Sequence, residues 1–205
     1  MTRVLLVRHG RTSWNHAARY QGHTDVALSE IGRKQAQLLA QRLAKEEIKA
    51  VYASDLRRAL ETAKILAEPH NLAVETLPGL REINFGYWEG LTFAEISEKY
   101  KDLAERWYSA PAEVQIPGGE TFFQLKERVY STVLELVKKH NQETIVVVTH
   151  AGPIRALICA LFNIDLNYAF RIRQDNCALS IIEFYEGTGI LCLLNDTSHL
   201  GETKD

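Results

Sequence analysis

Short apolar runs separated by longer helical segments are the feature that most constrains how this chain can fold. The run TIVVVT at 144–149 is continuously apolar and rich in β-branched residues, which is typical of a parallel strand buried on both faces. The run RVLLV at 3–7 has the same character. Because helical patterns alternate with such runs along the chain, we predict a layered α/β sheet.

Other segments extend this pattern along the whole chain. Ser29 is the expected N-cap of a helix whose apolar face includes Leu39 and Leu43. Thr92 and Glu95 form a capping-box sequence that opens another helix. We predict further strands at 50–54 and 72–77, a terminal hairpin of 178–185 with 189–194, and helices at 28–47, 55–68, 91–100, 120–140 and 153–162.

Length and charge limit the classes of function that the chain can have. A length of 205 residues fits one α/β domain. The net charge of −2 provides no overall basic field, so we expect no nucleic-acid partner. No apolar run reaches the roughly 18 residues that a membrane span requires, so we expect no membrane association.

Three cysteines, Cys159, Cys177 and Cys192, are widely spaced and form no C-x-x-C pair. This usage indicates neither a zinc site nor a disulfide framework. We therefore interpret all three as small apolar core residues, and we predict a reducing, cytoplasmic location.

Polar residues follow three of the predicted strands at the point where each strand ends. Arg8 and His9 follow the first strand, and His150 follows the central one. Arg57 and Arg58 come shortly after the second. If these strands are parallel neighbours, their carboxyl ends meet at one edge of the sheet, where open α/β sheets bind their ligands. The sequence therefore predicts a ligand site at this edge.

The residue types at this edge favour an anionic ligand. A planar guanidinium matches phosphate or carboxylate, and nearby arginines disfavour the protonation of a histidine. A neutral imidazole beside bound phosphate is suited to act as a nucleophile. A structural interpretation stays open, because each histidine alone could be a core side chain.

Arg57 and Arg58 point about 100° apart on a helix, so only one of them can face the site. His16, His70 and His140 have no such context and are expected to be surface or structural residues.

The ordered motifs of the chain resemble those of a known family. LLVRHGRTSWN at 5–15 resembles the RHG signature of the histidine phosphatase superfamily, which includes the cofactor-dependent phosphoglycerate mutases. RHG alone is a weak signal, but the ordered set that follows it is specific and covers nearly the whole chain. This set comprises YQGHTDVALSEIGRKQA (20–36), SDLRRALETA (54–63), LREINFGYWEG (80–90), IPGGETFFQLKERV (116–129) and VVTHAGPIRAL (147–157).

The resemblance implies a role for each matching position. His9 matches the nucleophile that becomes phosphohistidine, and Glu82 matches the proton donor. Arg8 and Arg58 match the arginines that hold the phosphoryl oxygens, and His150 matches the second histidine of the phosphate pocket. Further phosphate or substrate contacts are expected from Asn15, Gln21, Gly22, His23, Ala151 and His199.

One position departs from the family pattern, and two of the implied contacts have an alternative. The residue after the RHG glycine is usually Glu or Gln in the family, whereas here it is Arg11. Arg11 could add positive charge at the mouth of the site or point to solvent. His23 and His199 could contact a substrate carboxylate or hydroxyl, or they could be structural.

The resemblance also implies a fold and a reaction. The fold is a three-layer α/β sandwich with a mixed, mainly parallel sheet between helices. It forms one domain over 1–205, with a segment near 85–118 that covers the substrate. The reaction is the hydrolysis of a small phosphomonoester such as α-ribazole 5′-phosphate or phosphoserine, with no metal or other cofactor. Family members often dimerise, so a homodimer is left open.

Three other functions compete with this interpretation. A phosphoglycerate mutase would return the phosphoryl group to its substrate, but THAGP at 149–153 differs from the S-H-G-N-S run that is usual in mutases. An inactive phosphate-binding module is disfavoured, because every catalytic position holds a competent residue. A histidine-ligated metal enzyme lacks the carboxylate–histidine spacing that such sites require.

Overall fold

A six-stranded sheet lies at the centre of the computed structural model, which describes residues 1–203. The strands are β1 (Thr2–Arg8), β2 (Ile48–Ala53), β3 (Val74–Thr76), β4 (Thr144–Thr149), β5 (Leu179–Tyr185) and β6 (Thr188–Asp196). Their order across the sheet is β3-β2-β4-β1-β5-β6. Neighbours that are not consecutive in sequence are joined by crossover connections, as in other α/β sheets.

The sheet is mixed and mainly parallel. β1 pairs in parallel with β4, β4 with β2, and β2 with β3, whereas β5 is antiparallel to both β1 and β6. Arg8 lies opposite Thr149 in the register of β1 and β4, so these two strands end side by side. The three strands that were predicted to carry the site are therefore parallel neighbours.

Helices cover the sheet and connect its strands. The α-helices are α1 (Ser13–His16), α2 (Glu30–Leu43), α3 (Arg57–Ala67), α4 (Phe93–Lys99), α5 (Lys101–Ser109), α6 (Phe122–Lys139) and α7 (Ala151–Leu161). Short 3-10 helices occupy Glu68–His70, Pro78–Leu80, Gly86–Trp88, Pro111–Glu113, Leu166–Arg171 and Gly201–Thr203. Among the helices of residues 1–203, none has both the length and the apolar character that crossing a membrane would need.

Two apolar cores lie on opposite faces of the sheet. Val4 and Leu6 of β1 pack in the core that includes α6 and α7, whereas Leu5 and Val7 pack in the core that includes α2 and α3. All four side chains are buried, because both faces of this strand are covered. The result is a helix–sheet–helix sandwich, which confirms the predicted fold class.

Most predicted elements are present, with shifted ends. Ser29 caps α2 as predicted, with its hydroxyl oxygen accepting a hydrogen bond from the Gly32 N–H at 3.1 Å. The hairpin between β5 and β6 turns on Glu186 and Gly187, both with positive φ, which a two-residue hairpin turn requires. The helix predicted at 153–162 begins two residues earlier, with His150 as its N-cap.

Two expectations were wrong, and one helix was not expected. Cys192 is exposed on β6 rather than buried, because alternate residues of this strand face outward, whereas Cys159 and Cys177 are buried. The predicted strand 72–77 is reduced to β3, which pairs only with β2 at the edge of the sheet. Helix α5 was not predicted. It starts where Tyr100, at φ −136° and ψ 48°, interrupts the helix that begins at Thr92.

Candidate active site

A cavity of about 380 Å³ opens where β1, β2 and β4 end. Arg8, His9, Arg58 and Ala151 line it, so residues from all three strand ends converge on one space. The sequence predicted this convergence from the positions of the polar residues alone.

His9 sits immediately after β1 and is 3% exposed. Its main-chain N–H donates to the carbonyl of Thr149 at 2.9 Å, which extends the pairing of β1 with β4 by one residue. The ring Nδ1 lies 2.7 Å from the carbonyl oxygen of Gly10. Because a carbonyl only accepts hydrogen bonds, Nδ1 carries the ring proton, and Nε2 is left with its lone pair. Nε2 is the nucleophilic atom of a neutral histidine in this tautomer.

His150 follows β4 and packs edge-on against His9. The two ring centroids are 5.0 Å apart, with an interplanar angle of 61°. His150 is fully buried, and neither of its ring nitrogens has a hydrogen-bond partner within the described residues. Buried polar atoms are normally satisfied, so an unsatisfied imidazole beside His9 points to a ligand that completes it.

Arg58 supplies a buried cation to the same space. Its side chain is held from behind, because Nη1 donates to the carbonyl of Thr24 at 2.9 Å and Nη2 to that of Gly22 at 2.7 Å. Burial is the main cause that lowers the pKa of Arg58, to about 10, so the guanidinium remains charged at neutral pH. Its neighbour Arg57 has a side chain 59% exposed and pairs with Glu61 on the surface. Only one of the two arginines faces the cavity, as the helix geometry predicted.

Arg8 provides a second cation from the last position of β1. It lines the cavity, and its Nη1 donates to the carbonyl oxygen of Gln174. Arg8 and Arg58 therefore approach the space beside His9 from two different elements, β1 and α3. Two guanidinium groups around one histidine form a strongly anion-attracting site.

The two histidines of the site are held in the neutral form. Burial lowers the pKa of His9 well below the ordinary value of 6.5, and the charges of Arg58 and Arg8 lower it further. The pKa of His150 is also lowered well below 6.5, first by burial and then by Arg58 and His9. A neutral imidazole is the form that can attack phosphorus, so this environment keeps His9 ready to react.

Acidification is expected to destabilise the ligand-free protein through these histidines. An unfolded histidine gains its proton near pH 6.5, whereas the folded pKa of His9 lies well below this value, so the unfolded state binds more protons as the pH falls. The unfolding free energy should therefore fall below pH 6.5, by up to about 1.4 kcal/mol per pH unit for each histidine. Urea unfolding of the wild type and His9→Ala at pH 7.5 and 5.5 measures this, and the variant should lose less. Equal losses in the two proteins would contradict the neutral state of His9.

Glu82 brings a carboxyl group to the cavity from the loop before the 3-10 helix Gly86–Trp88. Its Oε1 accepts hydrogen bonds from the N–H groups of Ile83 at 2.9 Å and Gly152 at 3.1 Å. Gly152 belongs to the first turn of α7, so the helix whose N-cap is His150 also holds this carboxyl group. Arg128 holds the main chain of this loop, because its Nη2 donates to the main-chain carbonyl of Glu82 at 2.8 Å.

Gly152→Ala is expected to displace the Glu82 carboxyl group without unfolding the protein. A Cβ atom at position 152 would lie 2.3 Å from Glu82 Oε1, which is the mobile end of a side chain. A displacement of about 1 Å at a reacting group can cost on the order of 100-fold in rate. We expect the single-turnover rate of the first step to fall far more for phosphoserine than for p-nitrophenyl phosphate, whose leaving group needs no proton. Unchanged kcat for phosphoserine would show that the position of this carboxyl group is unimportant.

Asn15 and Gln21 line the cavity with their amide groups. The Thr12 hydroxyl lies 3.0 Å from Asn15 Oδ1 and 3.0 Å from Gln21 Oε1, which turns both amide oxygens toward Thr12. No hydrogen bond of either side-chain NH₂ group occurs within residues 1–203. Both groups are therefore available as donors to a ligand oxygen.

Four residues that were expected to contact phosphate or substrate are not part of the cavity lining: Gly22, His23, His150, which is buried against His9, and His199. Gly22 accepts from Arg58 through its carbonyl oxygen, and His23 Nε2 donates to the carbonyl of Glu82 at 2.9 Å. Gly22 therefore holds the side chain of Arg58, and His23 holds the main chain of Glu82.

His199 and Arg11 also lie outside the cavity lining. His199 Nε2 donates to the carbonyl of Cys177 at 3.0 Å, and Cys177 in turn donates its N–H to the carbonyls of Arg8 and His9. His199 thus braces the main chain behind β1. The guanidinium of Arg11 contacts His16 at 3.3 Å near the surface.

Two cavity arginines were missed by the sequence reasoning. Arg19 follows α1 and pairs with Glu95 at 3.2 Å. Arg155 lies on α7 four residues after Ala151 and so shares its face of the helix. This spacing was the signal that could have identified Arg155, because Ala151 was already placed in the site.

Aromatic side chains form much of the remaining wall. Trp107 is only 2% exposed, yet it still lines the cavity. Tyr20 and Phe85 pack edge-to-face with centroids 4.8 Å apart. The aromatic residues that line the cavity are Tyr20, Phe85, Trp107, Tyr108, Phe122 and Phe170. Three of the six belong to the segment 85–118.

The site contains few potential metal ligands. Among residues 1–203, no group of three or more histidine, cysteine, aspartate or glutamate side chains is arranged to hold a metal ion. The cations that face the cavity are arginines. Their fixed charge is available to any anion that enters it.

Comparison with known proteins assigns the family. The sequence profile of the histidine phosphatase superfamily (branch 1) matches residues 4–197. Phosphoserine phosphatase 1 of Hydrogenobacter thermophilus is 41% identical over 202 residues, which cover 98% of this chain and 96% of that protein.

Solved structures agree with this assignment. Bacillus stearothermophilus YhfR has a TM-score of 0.93 at 33% identity, with 98% of this chain and 100% of that chain covered. The phosphoserine phosphatase mutant H9A of Entamoeba histolytica, in complex with phosphoserine, has a TM-score of 0.87 at 31% identity, with coverage of 98% and 100%. The predicted resemblance is confirmed, and this chain belongs to branch 1 of the histidine phosphatase superfamily as a phosphoric monoester hydrolase.

Proposed function

We propose that this protein hydrolyses a small phosphomonoester through a phosphohistidine formed at Nε2 of His9. The observation that carries the proposal is the state of His9. Its Nδ1 is engaged by the Gly10 carbonyl, its pKa is lowered by burial, and Arg8 and Arg58 flank it. A neutral nucleophile beside two fixed cations suits attack on a dianionic phosphoryl group.

Substrate binding places the phosphoryl group among the polar side chains at the strand ends. Arg8 and Arg58 hold its oxygens. His150, which packs against His9, supplies a ring N–H that has no other partner in the described chain. The free amide NH₂ groups of Asn15 and Gln21 reach the same space. These fixed donors stabilise the charge on the transferring group, which metal ions do in kinases.

The reaction proceeds in two steps. Nε2 of His9 attacks phosphorus in line with the ester oxygen, while Glu82 in its acid form protonates that oxygen and the P–O bond breaks. In the second step Glu82 accepts a proton from water, which attacks the phosphohistidine and releases inorganic phosphate. His9 returns to its neutral form, and Glu82 regains its proton.

The segment 85–118 is proposed to cover the bound substrate, within a single domain over 1–205. Phe85, Trp107 and Tyr108 of this segment line the cavity and can pack against the carbon skeleton of the leaving group. A wall of this kind excludes water from the phosphoryl group during the first step. A cytoplasmic location and a homodimer stay predictions.

Phosphoserine is the first candidate substrate. It is the substrate named for a relative with 41% identity and is bound in a related solved structure. α-Ribazole 5′-phosphate is the second candidate. The aromatic wall favours it, because rings of the cavity can stack on a flat heterocyclic group.

Phosphate release in EDTA tests the proposal. We expect release from p-nitrophenyl phosphate and from at least one of phosphoserine, 3-phosphoglycerate and α-ribazole 5′-phosphate. Quenching in alkali during turnover should trap phosphate on the peptide that contains His9. Phosphoryl exchange between phosphoglycerates without release would instead indicate a mutase. Neither release nor exchange would indicate an inactive phosphate-binding module, and activity that EDTA removes would indicate a metal enzyme.

A further inference from the structure

Arg155 is the cavity residue for which the proposed reaction has no use. It lies on α7, and its Nε donates to the carbonyl of Ile172 at 2.9 Å. The guanidinium carbon lies 5.6 Å from the ring centroid of Phe170, so the group is stacked as well as hydrogen-bonded. These two contacts fix its plane while it lines the cavity.

Within residues 1–203, no carboxylate lies within 4 Å of the Arg155 guanidinium to neutralise its charge. No ion pair of Arg155 occurs among residues 1–203, whereas the other missed cavity arginine, Arg19, is paired with Glu95. The titratable groups that face Arg155 are Glu82, Tyr108 and Tyr20. Glu82 is already held by the N–H groups of Ile83 and Gly152. A largely buried cation without an anionic partner is costly, so its position favours a ligand anion.

The place of Arg155 on its helix separates it from the phosphoryl site. Arg155 comes four residues after Ala151, which is a rise of about 6 Å along α7. The phosphoryl group already has two cations, Arg8 and Arg58, at the strand ends. Arg155 therefore faces the part of the cavity that the leaving group occupies.

We propose that Arg155 binds a carboxylate on the leaving group, so that the preferred substrates are phosphomonoesters of hydroxy acids, including hydroxy amino acids. This inference rests on the proposed function and specifies its substrate class. The guanidinium plane can donate two parallel hydrogen bonds to a carboxylate. A leaving group with a neutral ring, such as α-ribazole, would leave Arg155 without an anionic partner. A leaving group that carries a second phosphate could also pair with Arg155, but a tetrahedral phosphate differs in shape from a planar carboxylate.

Substrate pairs that differ only in the carboxylate provide the test. Phosphoserine is compared with O-phosphoethanolamine, and 3-phosphoglycerate with glycerol 1-phosphate. For the wild type we expect kcat/KM to be about 10- to 100-fold higher with the carboxylate, mostly through KM, because hydrogen bonds to charged groups contribute more than neutral ones. The kcat/KM for glycerate 2,3-bisphosphate tests whether Arg155 prefers a second phosphate group to a carboxylate.

Two variants and a control assign the preference to Arg155. In Arg155→Met the ratio of kcat/KM within each pair should fall to near 1, and Arg155→Lys should restore part of it, because lysine keeps the charge but loses the planar fork. Arg171→Met is the matched control. Arg171 is an exposed arginine in the neighbouring 3-10 helix that stacks on Tyr168, with 4.3 Å from its guanidinium carbon to the ring centroid. Thermal unfolding of each variant shows that it is folded.

Binding without turnover keeps this inference separate from the proposed reaction. Calorimetry on His9→Ala should show tighter binding of phosphoserine than of O-phosphoethanolamine, and the added Arg155→Met substitution should remove the difference. A wild-type ratio near 1, a ratio unchanged in Arg155→Met, or a better fit of the bisphosphate would each overturn the assignment. If the wild type hydrolysed none of these substrates but His9→Ala still bound phosphoserine more tightly than O-phosphoethanolamine, only the proposed reaction would be overturned.

Discussion

Replacing His9 with alanine is expected to abolish hydrolysis, with kcat lower by about 10⁴-fold or more. The imidazole supplies the atom that forms the covalent bond to phosphorus, and no other side chain of the cavity can take its place. His150 is adjacent, with ring centroids 5.0 Å apart, but its side chain is fully buried and its proposed role is to donate a ring N–H to the phosphoryl group, not to attack phosphorus. Arg8 and Arg58 would still bind the phosphoryl group, so loss of turnover should accompany retained binding.

The measurement combines steady-state hydrolysis with alkali-quench trapping. His16→Ala is the matched control, because His16 lies exposed on α1, close in sequence to the site but outside the cavity lining. Trapped phosphate should be absent from His9→Ala and present in His16→Ala. A His9→Ala protein that hydrolyses phosphoserine at near the wild-type rate would refute the phosphohistidine scheme.

The part of the site that the sequence predicted comes from the ends of the strands. Arg8 and His9 terminate an apolar run, and His150 terminates another, so their positions follow from strand periodicity. The parallel register of β1 with β4 then brings them together. Arg58 could be chosen over Arg57 because of its sequence context, and the helix geometry requires that only one of them turn inward.

The rest of the site depends on contacts between segments far apart in the chain. His23 supports the carbonyl of Glu82, 59 residues away, and His199 supports that of Cys177, 22 residues away. Histidine at either position is compatible with a ligand contact, and only the loop paths determine that both donate to main-chain carbonyls. Arg155 was missed although its place four residues after Ala151 puts it on the same face of α7. The sequence does not show that no carboxylate from another segment pairs with it.

The predicted fold was more complete than the predicted site, and the boundaries show why. Capping boxes and apolar stripes are local, so the starts of α4 and α6 lie within two residues of the predicted ones. β3 is short because it pairs on one side only, and α5 exists because Ala104 and Trp107 bury against the core. Tertiary packing determines the length of β3 and the presence of α5, so local sequence patterns do not predict them.

Replacing Glu82 with glutamine is expected to separate substrates by their leaving groups. Glutamine keeps the shape of the side chain and can still accept from the Ile83 and Gly152 N–H groups, but it cannot transfer a proton. For phosphoserine, whose alkoxide leaves poorly, kcat should fall by about 10²- to 10⁴-fold. For p-nitrophenyl phosphate, whose phenolate leaves without protonation, the first step should be much less affected.

Single-turnover kinetics on both substrates isolates that first step, since Glu82 also serves as the base for dephosphorylation. With p-nitrophenyl phosphate the variant should show a burst of nitrophenolate followed by slow turnover, because the phosphohistidine forms but water is no longer activated. With phosphoserine the burst itself should be slow. Glu82→Asp is the matched variant, because it retains a proton donor on a shorter side chain and should recover part of the phosphoserine rate. Equal losses on both substrates in the first step would show that Glu82 acts on the phosphoryl group and not on the departing oxygen.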